Sequence, residues 1–371
     1  MNSRSSEVIR SNLKNDMKSK WLGFSVFLLI YHLAFAFFTW NYSQQNMGDA
    51  YRYWHLTANW TAYFKVGTDV VRFINYPFSE ILNLPFWIGF LLYNFIGYYA
   101  IYQLFNFAKD YINPTNKWGE YLLMFIFLFP NLHFWTSIIG KEPIIFLAIT
   151  WIIINQVKIK YFSFQYVLGW ILLILIRPHV AMFLLLAISF ALIINDKGFS
   201  RQKILIVFST LLLSLGLYLM TMQLLNRNPL DIAHILERND ASLIAFQRAE
   251  SYVPMINYNV FERFFALNFR PLFVDSVSLY SFILSVENLF ILILIFSSVL
   301  IYIYRFKEIR LDFFAKIALL FLIISSLFFI QRYSCLGIFV RTKVMYMPFV
   351  LIVAAKVIIS SKSFNNSSRN K

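Results

Sequence analysis

The sequence predicts an all-α polytopic integral membrane protein that crosses the bilayer about ten times. Hydrophobic residues make up 59% of its 371 residues and charged residues only 14%, against about 25% charged in an average soluble domain. The apolar residues fall in blocks of about 20, which is the length needed to cross a hydrocarbon core about 30 Å thick. This composition excludes a soluble enzyme and a disordered regulator, and the single cysteine, Cys335, excludes a secreted disulfide scaffold.

Apolar blocks between charged residues define ten candidate spans within one membrane domain, residues 1–371. The spans are 21–40, 82–105, 119–135, 143–157, 162–176, 180–195, 204–225, 278–304, 313–330 and 344–360. Two connecting segments, 41–81 and 226–277, are much longer than the others. Their aromatic, non-repetitive composition predicts amphipathic helices that lie on the membrane surface. In the second segment, Asn228-Pro229 predicts the start of a helix.

The basic residues predict the orientation of these spans. An even number of spans puts both tails, 1–20 and 361–371, on the same side of the membrane. With the tails inside, the inner side holds 14 Lys and 6 Arg, and the outer side holds 3 Lys and 10 Arg. Because Lys and Arg are retained on the cytoplasmic side, this bias predicts cytoplasmic tails and extracytoplasmic long loops.

The outer side is rich in arginine rather than lysine. A planar guanidinium group matches phosphate and carboxylate, whereas the lysine ammonium is a hydrated point charge. The outer arginines therefore predict a phosphate-binding face, with pairing to outer acidic residues as the alternative. The net charge of +15 arises mostly inside, and we interpret it as a topology signal that also meets anionic lipid. It requires no nucleic acid.

Nucleotide-binding motifs are absent from the sequence: it has no P-loop, no dinucleotide glycine fingerprint and no HExxH. With only 11 glycines, a phosphate cradle made of backbone amides is not expected. Side chains or a metal ion would have to hold any phosphate.

The first candidate cluster follows the first span and reads Gly48-Asp49-Ala50-Tyr51-Arg52-Tyr53-Trp54-His55. On a helix, Asp49, Arg52 and Tyr53 share a face. A carboxylate beside aromatic rings can take a proton from a sugar hydroxyl while the rings stack on the sugar. The alternative is that Asp49 caps a surface helix.

The second cluster is the turn between the third and fourth spans, residues 129–143, which contains Trp135, Lys141 and Glu142. Charges at the edge of an apolar hairpin are costly unless each has a partner. Lys141 and Glu142 either pair with each other, or Lys141 contacts a phosphate while Glu142 orients an arginine or binds a sugar. We interpret His133 as a satisfied interfacial histidine.

Two Arg-Pro pairs, Arg177-Pro178-His179 and Arg270-Pro271, form the third candidate group. Proline pushes the preceding residue out of the helical region, so each arginine is expected on extended backbone at a helix end. Long apolar stretches flank Arg177. An arginine at membrane depth is a functional-site hypothesis by default, and the alternative is a snorkelling side chain at a hairpin.

The last outer loop, 331–343, carries Arg332, Arg341 and Lys343 without an acidic residue. This uncompensated set of cations predicts an anionic ligand, either substrate or lipid headgroup.

Glu287 falls inside the eighth span, where a carboxylate needs a cation. We expect Arg177 or Arg270 to supply it.

Together these features resemble the bacterial polysaccharide polymerases. These are the O-antigen (Wzy-type) polymerases and the EpsG-like proteins of surface-polysaccharide loci, which are grouped with the GT-C glycosyltransferases. The resemblance covers the architecture of most of the chain. Its short motifs are the Asp-containing cluster with following tyrosines, Trp135 to Glu142 in a hairpin, Arg-Pro-His, and a loop with Gly337 and Arg341.

The resemblance implies a GT-C-like fold and a polysaccharide polymerase. Such an enzyme transfers a polyprenyl-diphosphate-linked oligosaccharide onto a sugar hydroxyl of another lipid-linked repeat unit, at the periplasmic face of the bacterial inner membrane. No nucleotide sugar or other cofactor is implied, and membrane lipids and a chain-length regulator protein are the implied partners. Alternatives are another GT-C transferase or ligase with a polyprenyl-phosphate-linked donor, a lipid-linked oligosaccharide flippase or transporter, and a non-catalytic assembly partner.

The candidate site residues come from the clusters and from this resemblance. Many metal-dependent GT-C enzymes carry two adjacent acidic residues at the position of Asp49, whereas Ala50 follows it here. No metal site is therefore predicted, and guanidinium groups are expected to neutralise the leaving diphosphate. The catalytic candidates are Asp49, Glu142 and His179, the diphosphate-binding candidates are Arg177, Arg270, Arg341, Lys141 and Arg332, and the sugar-binding candidates are Tyr53, Trp54 and Trp135.

Overall fold

A computed structural model describes residues 3–195 and 201–369, with side-chain surroundings for 19–195, 201 and 204–361. Helix makes up 79% of the structure, and no strand occurs in the described part, which confirms the all-α prediction. The described helices are α1 Ser3–Gln45, α2 Asp49–Trp54, α3 Asp69–Tyr76, α4 Phe86–Ile112, α5 Lys117–Ile126, α6 Pro130–Ser137, α7 Lys141–Val157, α8 Phe164–Ile176, α9 Pro178–Asn195, α10 Arg201–Leu224, α11 Ile232–Ile244, α12 Val260–Phe269, α13 Leu279–Tyr304, α14 Phe313–Phe329, α15 Leu336–Lys343 and α16 Met347–Arg369.

Five helices are long and apolar enough to cross a membrane: α1 over Ser19–Gln45, α4, α9, α10 over Ile204–Leu224, and α13. Two pairs of consecutive helices, each bent at a short break, are long and apolar enough to cross a membrane when the two helices are taken together. These are α6 with α7, bent by 112°, and α15 with α16 as far as Ser361, bent by 61°. The described residues therefore provide five to seven candidate membrane-spanning helices, as expected for a polytopic membrane protein.

The count of ten spans stays a prediction. The helices at the predicted fifth and ninth spans, α8 and α14, have 13 and 17 residues, or about 20 and 26 Å, against a hydrocarbon core of about 30 Å. The predicted third span, 119–135, is not one helix, because α5 ends at Ile126 and α6 begins at Pro130. Proline starts a new helix there since it lacks the N–H that a continuous helix would use.

The predicted tails are largely helical extensions of the neighbouring helices. α1 begins at Ser3, and α16 continues to Arg369. Residues 1–2 and 370–371 of these tails lie outside the described residues.

Both long connecting segments contain short helices, α2 and α3 in 41–81 and α11 and α12 in 226–277. α11 begins at Ile232, where the Asp231 carboxylate accepts the first free N–H of the helix at 3.0 Å. The helix start predicted from Asn228-Pro229 is therefore wrong by a few residues.

The helices give the molecule two ends. α4 has 27 residues and is about 40 Å long. At its start the Phe86 ring lies 6.1 Å from the ring of Tyr51 in the first long segment, and at its end the Tyr111 hydroxyl donates to Asp312 at 2.9 Å. The first long segment and the turn at 305–312 thus lie at opposite ends, which we call the loop end and the turn end.

Glycines bring other segments unusually close to α4. A Cβ atom added at Gly97 would lie 1.9 Å from the carbonyl oxygen of Thr136 in α6, and one added at Gly89 would lie 2.5 Å from the ring of Trp54. Protein interiors are packed too densely to absorb such overlaps. The hairpin that carries the second candidate cluster therefore sits directly on α4.

Candidate functional site

Three segments that are far apart in sequence meet at the loop end. Asp49 is the first residue of α2, Glu142 lies in the first turn of α7, and Arg341 lies in the last turn of α15. An acid near a helix start and a base near a helix end are favoured by the helix dipole. The bends before α7 and after α15 bring these helix ends together.

Arg341 is the centre of the contacts. Its Nε donates to Glu142 Oε1, its Nη2 donates to Glu142 Oε2 at 3.0 Å, and its Nη1 donates to Asp49 Oδ2 at 2.8 Å. The contact with Glu142 is two-pronged, which is a strong and geometrically specific form of an ion pair. One guanidinium group thus holds two carboxylates from distant segments.

Lys141 and Arg177 add positive charge without close hydrogen bonds to these carboxylates. Lys141 Nζ lies 3.9 Å from Asp49 Oδ2, and Arg177 Nη2 lies 3.8 Å from Glu142 Oε1. Both distances exceed that of a hydrogen bond. We call Asp49, Lys141, Glu142, Arg177 and Arg341 the charge network; three cations and two carboxylates leave it with one excess positive charge.

The structure decides two alternatives that the sequence left open. Asp49 is not a helix cap, because Gly48 occupies the N-cap position of α2 and the Asp49 carboxylate binds Arg341. Among the described side chains, Lys141 and Glu142 do not form an ion pair with each other. The partner of Lys141 is Asp49, and the partners of Glu142 are arginines.

A cavity of about 160 Å³ opens beside the charge network. Asp49, Arg341 and Trp135 line it, together with Tyr42 and Asn46 at the end of the first span. The Arg341 guanidinium lies over the Trp135 ring, 5.3 Å from its centroid, in a cation–π contact. A carboxylate, a guanidinium group and an indole ring therefore face one space.

The two carboxylates differ in their access to this cavity. The Asp49 side chain is 38% exposed and lines the cavity, whereas the Glu142 side chain is 5% exposed and does not. Burial alone would raise the pKa of Asp49, but the charges of Arg341 and Lys141 outweigh burial and hold that pKa below its ordinary value. Asp49 is therefore ionised at neutral pH.

Two of the three aromatic candidates are core residues that pack behind the site. Tyr53 and Trp54 are buried, and only Trp135 of the three lines the cavity. Burial raises the pKa of Tyr53 to about 12, and the carboxylates of Asp49 and Glu142 act in the same direction. The Trp54 indole N–H donates to a backbone carbonyl before α4 at 3.3 Å. The structure thus places Tyr53 and Trp54 in the core, and the sugar contact predicted for them lacks an open surface.

His179 and Arg332 lie outside the hydrogen-bonded contacts. The His179 ring packs against the rings of Phe183 and Phe329, and it has no hydrogen-bond partner among the described residues. The Arg332 backbone N–H donates to the Phe329 carbonyl at 3.0 Å. Its guanidinium group has no acidic partner among the residues that the structure describes. Neither residue lines the cavity.

Arg270 belongs to a separate contact. Its Nε donates to Asp275 Oδ2 at 3.0 Å, its Nη2 donates to the other carboxylate oxygen, and its Nη1 donates to the Tyr258 hydroxyl at 3.3 Å. All three residues lie in the second long segment. The structure does not bring Arg270 to the charge network.

The cation predicted for Glu287 is wrong. Arg177 pairs with Glu142, and Arg270 pairs with Asp275. The Glu287 carboxylate instead accepts the backbone N–H of Asn131 at 2.8 Å. The cation near Glu287 is Lys343, which lines the same small cavity, rather than either of the predicted arginines.

The cations of 331–343 are also less exposed than the sequence predicted. Arg341 finds its acids in other segments, and Lys343 points inward, where its Nζ donates to Asn288 Oδ1 at 2.7 Å and to the Arg270 carbonyl at 3.0 Å. Of these cations, Arg332 alone lacks a partner side chain within the described residues.

His133 is a satisfied buried residue, as interpreted from the sequence. Its Nδ1 lies 2.8 Å from Nδ1 of His32, and its Nε2 lies 2.7 Å from the carbonyl oxygen of Phe127. The pair links the first span to the hairpin and does not reach the cavity.

Sequence reasoning missed Tyr42 and Asn46 as cavity residues. They stand four residues apart at the end of α1, and the Asn46 side-chain amide donates to the Tyr42 carbonyl at 3.0 Å. Their i, i+4 spacing just before Asp49 was the available signal.

No family model, no curated protein and no solved structure matches this chain. Within the described residues, no group of three or more His, Cys, Asp or Glu side chains is placed to hold a metal ion. The geometry of the charge network and its cavity is therefore what points to a function.

Proposed function

We propose that this protein is a membrane glycosyltransferase of the polysaccharide-polymerase type. It would transfer an oligosaccharide from a polyprenyl diphosphate to a sugar hydroxyl of a second lipid-linked unit. The observation that carries the proposal is the shared cavity, where Asp49, Arg341 and Trp135 face one another at the loop end.

The excess charge of the network favours an anionic ligand such as a diphosphate. A guanidinium group has five N–H donors, and Asp49 and Glu142 take three of those of Arg341. Lys141 and Arg177 are largely buried and do not line the cavity, but neither makes a hydrogen bond to Asp49 or Glu142, so their charges are only partly compensated and act on the cavity from behind Arg341. A leaving diphosphate would meet positive charge from three side chains.

The cavity itself suits a sugar. Its aromatic wall, Trp135, offers a flat apolar surface to the face of a pyranose ring, and its polar groups can bind hydroxyls. Tyr42, Ser43 and Asn46, at the end of the first span, are the further polar lining residues. Aromatic and polar groups in one concave space are typical of ligand sites.

We propose the following reaction for these residues. Asp49 takes the proton of the acceptor hydroxyl, and the hydroxyl oxygen forms a bond to the anomeric carbon of the donor sugar. The bond between that carbon and the diphosphate oxygen breaks, and its electron pair stays with the leaving diphosphate. Arg341, Lys141 and Arg177 stabilise the charge that develops there.

We assign different roles to the two carboxylates. Asp49 meets the substrate, because it lines the cavity and stays ionised. Glu142 is a positioning residue: it is nearly inaccessible, and its two-pronged contact fixes the plane of Arg341. A guanidinium group held in this way loses little conformational entropy when it binds phosphate.

The test is a deletion strain whose surface glycan is resolved by chain length. A polymerase predicts the loss of long chains, with a single repeat unit left on its lipid anchor. An unchanged ladder would contradict the proposal, and the loss of even the single-unit product would support a flippase instead.

A further inference from the structure

The turn end contains a second cavity of about 160 Å³. The turn at 305–312, the end of α4 and one face of α16 enclose it. Its charged lining residues are Glu308, Arg310, Asp312 and Lys356, and Tyr111 lies beside them. Because α4 is about 40 Å long, this cavity lies about one membrane thickness away from the charge network.

One wall of the cavity is a closed set of contacts around Asp312. Its carboxylate accepts the Tyr111 hydroxyl at 2.9 Å, the backbone N–H of Ala315 at 3.0 Å and Lys356 Nζ at 2.9 Å. The Lys356 ammonium also lies 3.5 Å from the centroid of the Tyr111 ring. The negative charge of Asp312 is therefore compensated, and it offers little repulsion to an anion.

The turn itself carries an excess of positive charge. Its cations are Arg305, Lys307 and Arg310, and its acids are Glu308, which pairs with Arg305 at 3.8 Å, and Asp312, which pairs with Lys356 at 2.9 Å from outside the turn. Arg310 is exposed and lines the cavity. Neither Arg310 nor Lys307 has an acidic partner among the side chains that the structure describes.

The residues before the cavity indicate a membrane interface. Tyr304 and Phe306 are 86% and 60% exposed, and aromatic side chains are enriched at the headgroup level of membrane proteins. α13, which leads into the turn, exposes apolar side chains such as Phe296 and Leu300 toward its surroundings. Arg310 thus stands where lipid tails give way to headgroups.

We propose that this cavity binds the phosphate headgroup of an anionic membrane phospholipid. Arg310 binds the phosphate, Lys356 stays paired with Asp312 and keeps that carboxylate from repelling the phosphate, and the glycerol portion occupies the cavity. Because the site lies at the other end of the bundle, the proposal is independent of the function proposed above.

The test measures lipid retention by native mass spectrometry of the purified full-length protein in detergent. Wild-type protein is expected to retain phosphatidylglycerol in preference to phosphatidylcholine. Arg310→Gln removes the charged donor, and Ala315→Leu fills the cavity while it keeps every charge. Each is expected to lower this preference about tenfold, because the first variant loses one charge-assisted hydrogen bond and the second excludes the lipid from the cavity.

Lys160→Gln is the matched control. Lys160 is exposed in the turn after α7, and α7 starts at the charge network and ends at the turn end. This variant removes the same charge from the same end of the molecule without touching the cavity, and it should lower the preference less than about twofold.

Several results would overturn the assignment. Equal losses in Arg310→Gln and Lys160→Gln would mean diffuse electrostatics, and an unchanged preference in monodisperse Ala315→Leu would place the lipid elsewhere. Displacement of the lipid by millimolar inorganic phosphate would indicate a site for a free phosphate. If one cavity variant fails to fold, the other decides the question.

Discussion

Arg341 and Arg270 both make two-pronged ion pairs with a carboxylate, but their partners lie at very different distances along the sequence. Arg270 binds Asp275, five residues further along the same loop, and takes the Tyr258 hydroxyl as a third partner. Arg341 binds Glu142 and Asp49, which are 199 and 292 residues away. The first pair closes its own loop, and the second joins three parts of the chain.

The difference teaches how an arginine can be judged in a membrane protein. In the Arg270 pair, one positive charge balances one negative charge, and neither residue lines the cavity beside the charge network. The Arg341 contacts belong to a group with excess positive charge beside an open space. Long reach, charge imbalance and a cavity together distinguish a candidate site from a structural pair.

The largest expected effect is that of Asp49→Asn. Loss of the general base should lower polymerisation by about 100- to 10,000-fold, because an amide cannot accept the proton. The measurement is an in vitro assay with lipid-linked oligosaccharide and monodisperse protein. Asp275→Asn is the matched control and should change the rate only a few-fold. An Asp49→Asn variant with more than about a tenth of wild-type activity would refute the role of Asp49 as base.

The next effect comes from Arg341→Lys, which keeps the charge but removes the fork. We expect a cost of about 2 to 4 kcal/mol in the transition state, or roughly 30- to 1000-fold in rate. Arg177→Lys should act in the same direction, and Arg270→Lys should be nearly silent. Near-wild-type rates at both Arg341 and Arg177 would rule out the diphosphate clamp.

A smaller effect is expected from a change in the packing of the hairpin on α4, which supports the charge network without being part of it. Gly97→Ala forces the Thr136 backbone away from α4, and overpacking of this kind costs about 1 to 3 kcal/mol. The melting temperature in detergent should fall. Gly216→Ala is the control, because an added Cβ there meets nothing within 4 Å. Equal melting temperatures for the two variants would show that the hairpin does not depend on this contact.

The smallest expected effect is a shift in pH dependence. The pKa of Asp49 is held below its ordinary value of 3.8, so its ionised form, with its share of stability, persists above that value and is lost only as the pH falls through the lowered pKa. Activity should therefore show no acid limb from this group between about pH 7 and pH 5. In Lys141→Gln, one of the charges that lowers this pKa is gone, and the acid limb of the pH–rate profile should move upward. An unchanged limb would mean that Lys141 does not act on Asp49.

The sequence predicted the class of fold because hydrophobic composition reports directly on the solvent of the chain. The break in 119–135 was not predicted because the span was defined by its apolar run alone, although Pro130 within it is a helix-start signal. The charged residues of the network could be singled out because they stand beside aromatic residues, beside long apolar stretches or in a loop without acids. Their partners could not, because the contacts of Arg341 join segments 199 and 292 residues apart through helix bends that composition does not encode. The pair of Arg270 with Asp275, by contrast, is local in the sequence.

The bond between Arg341 and Glu142 can form only late in the synthesis of the chain. Glu142 enters the bilayer with its hairpin well before α15 is translated, and an incompletely compensated carboxylate in apolar surroundings is costly. Lys141 and Arg177 stand near it during that interval, but the two-pronged partner arrives only with the last part of the chain. A nascent chain stopped before α15 would keep a poorly seated hairpin, and quality-control proteases would be expected to degrade it.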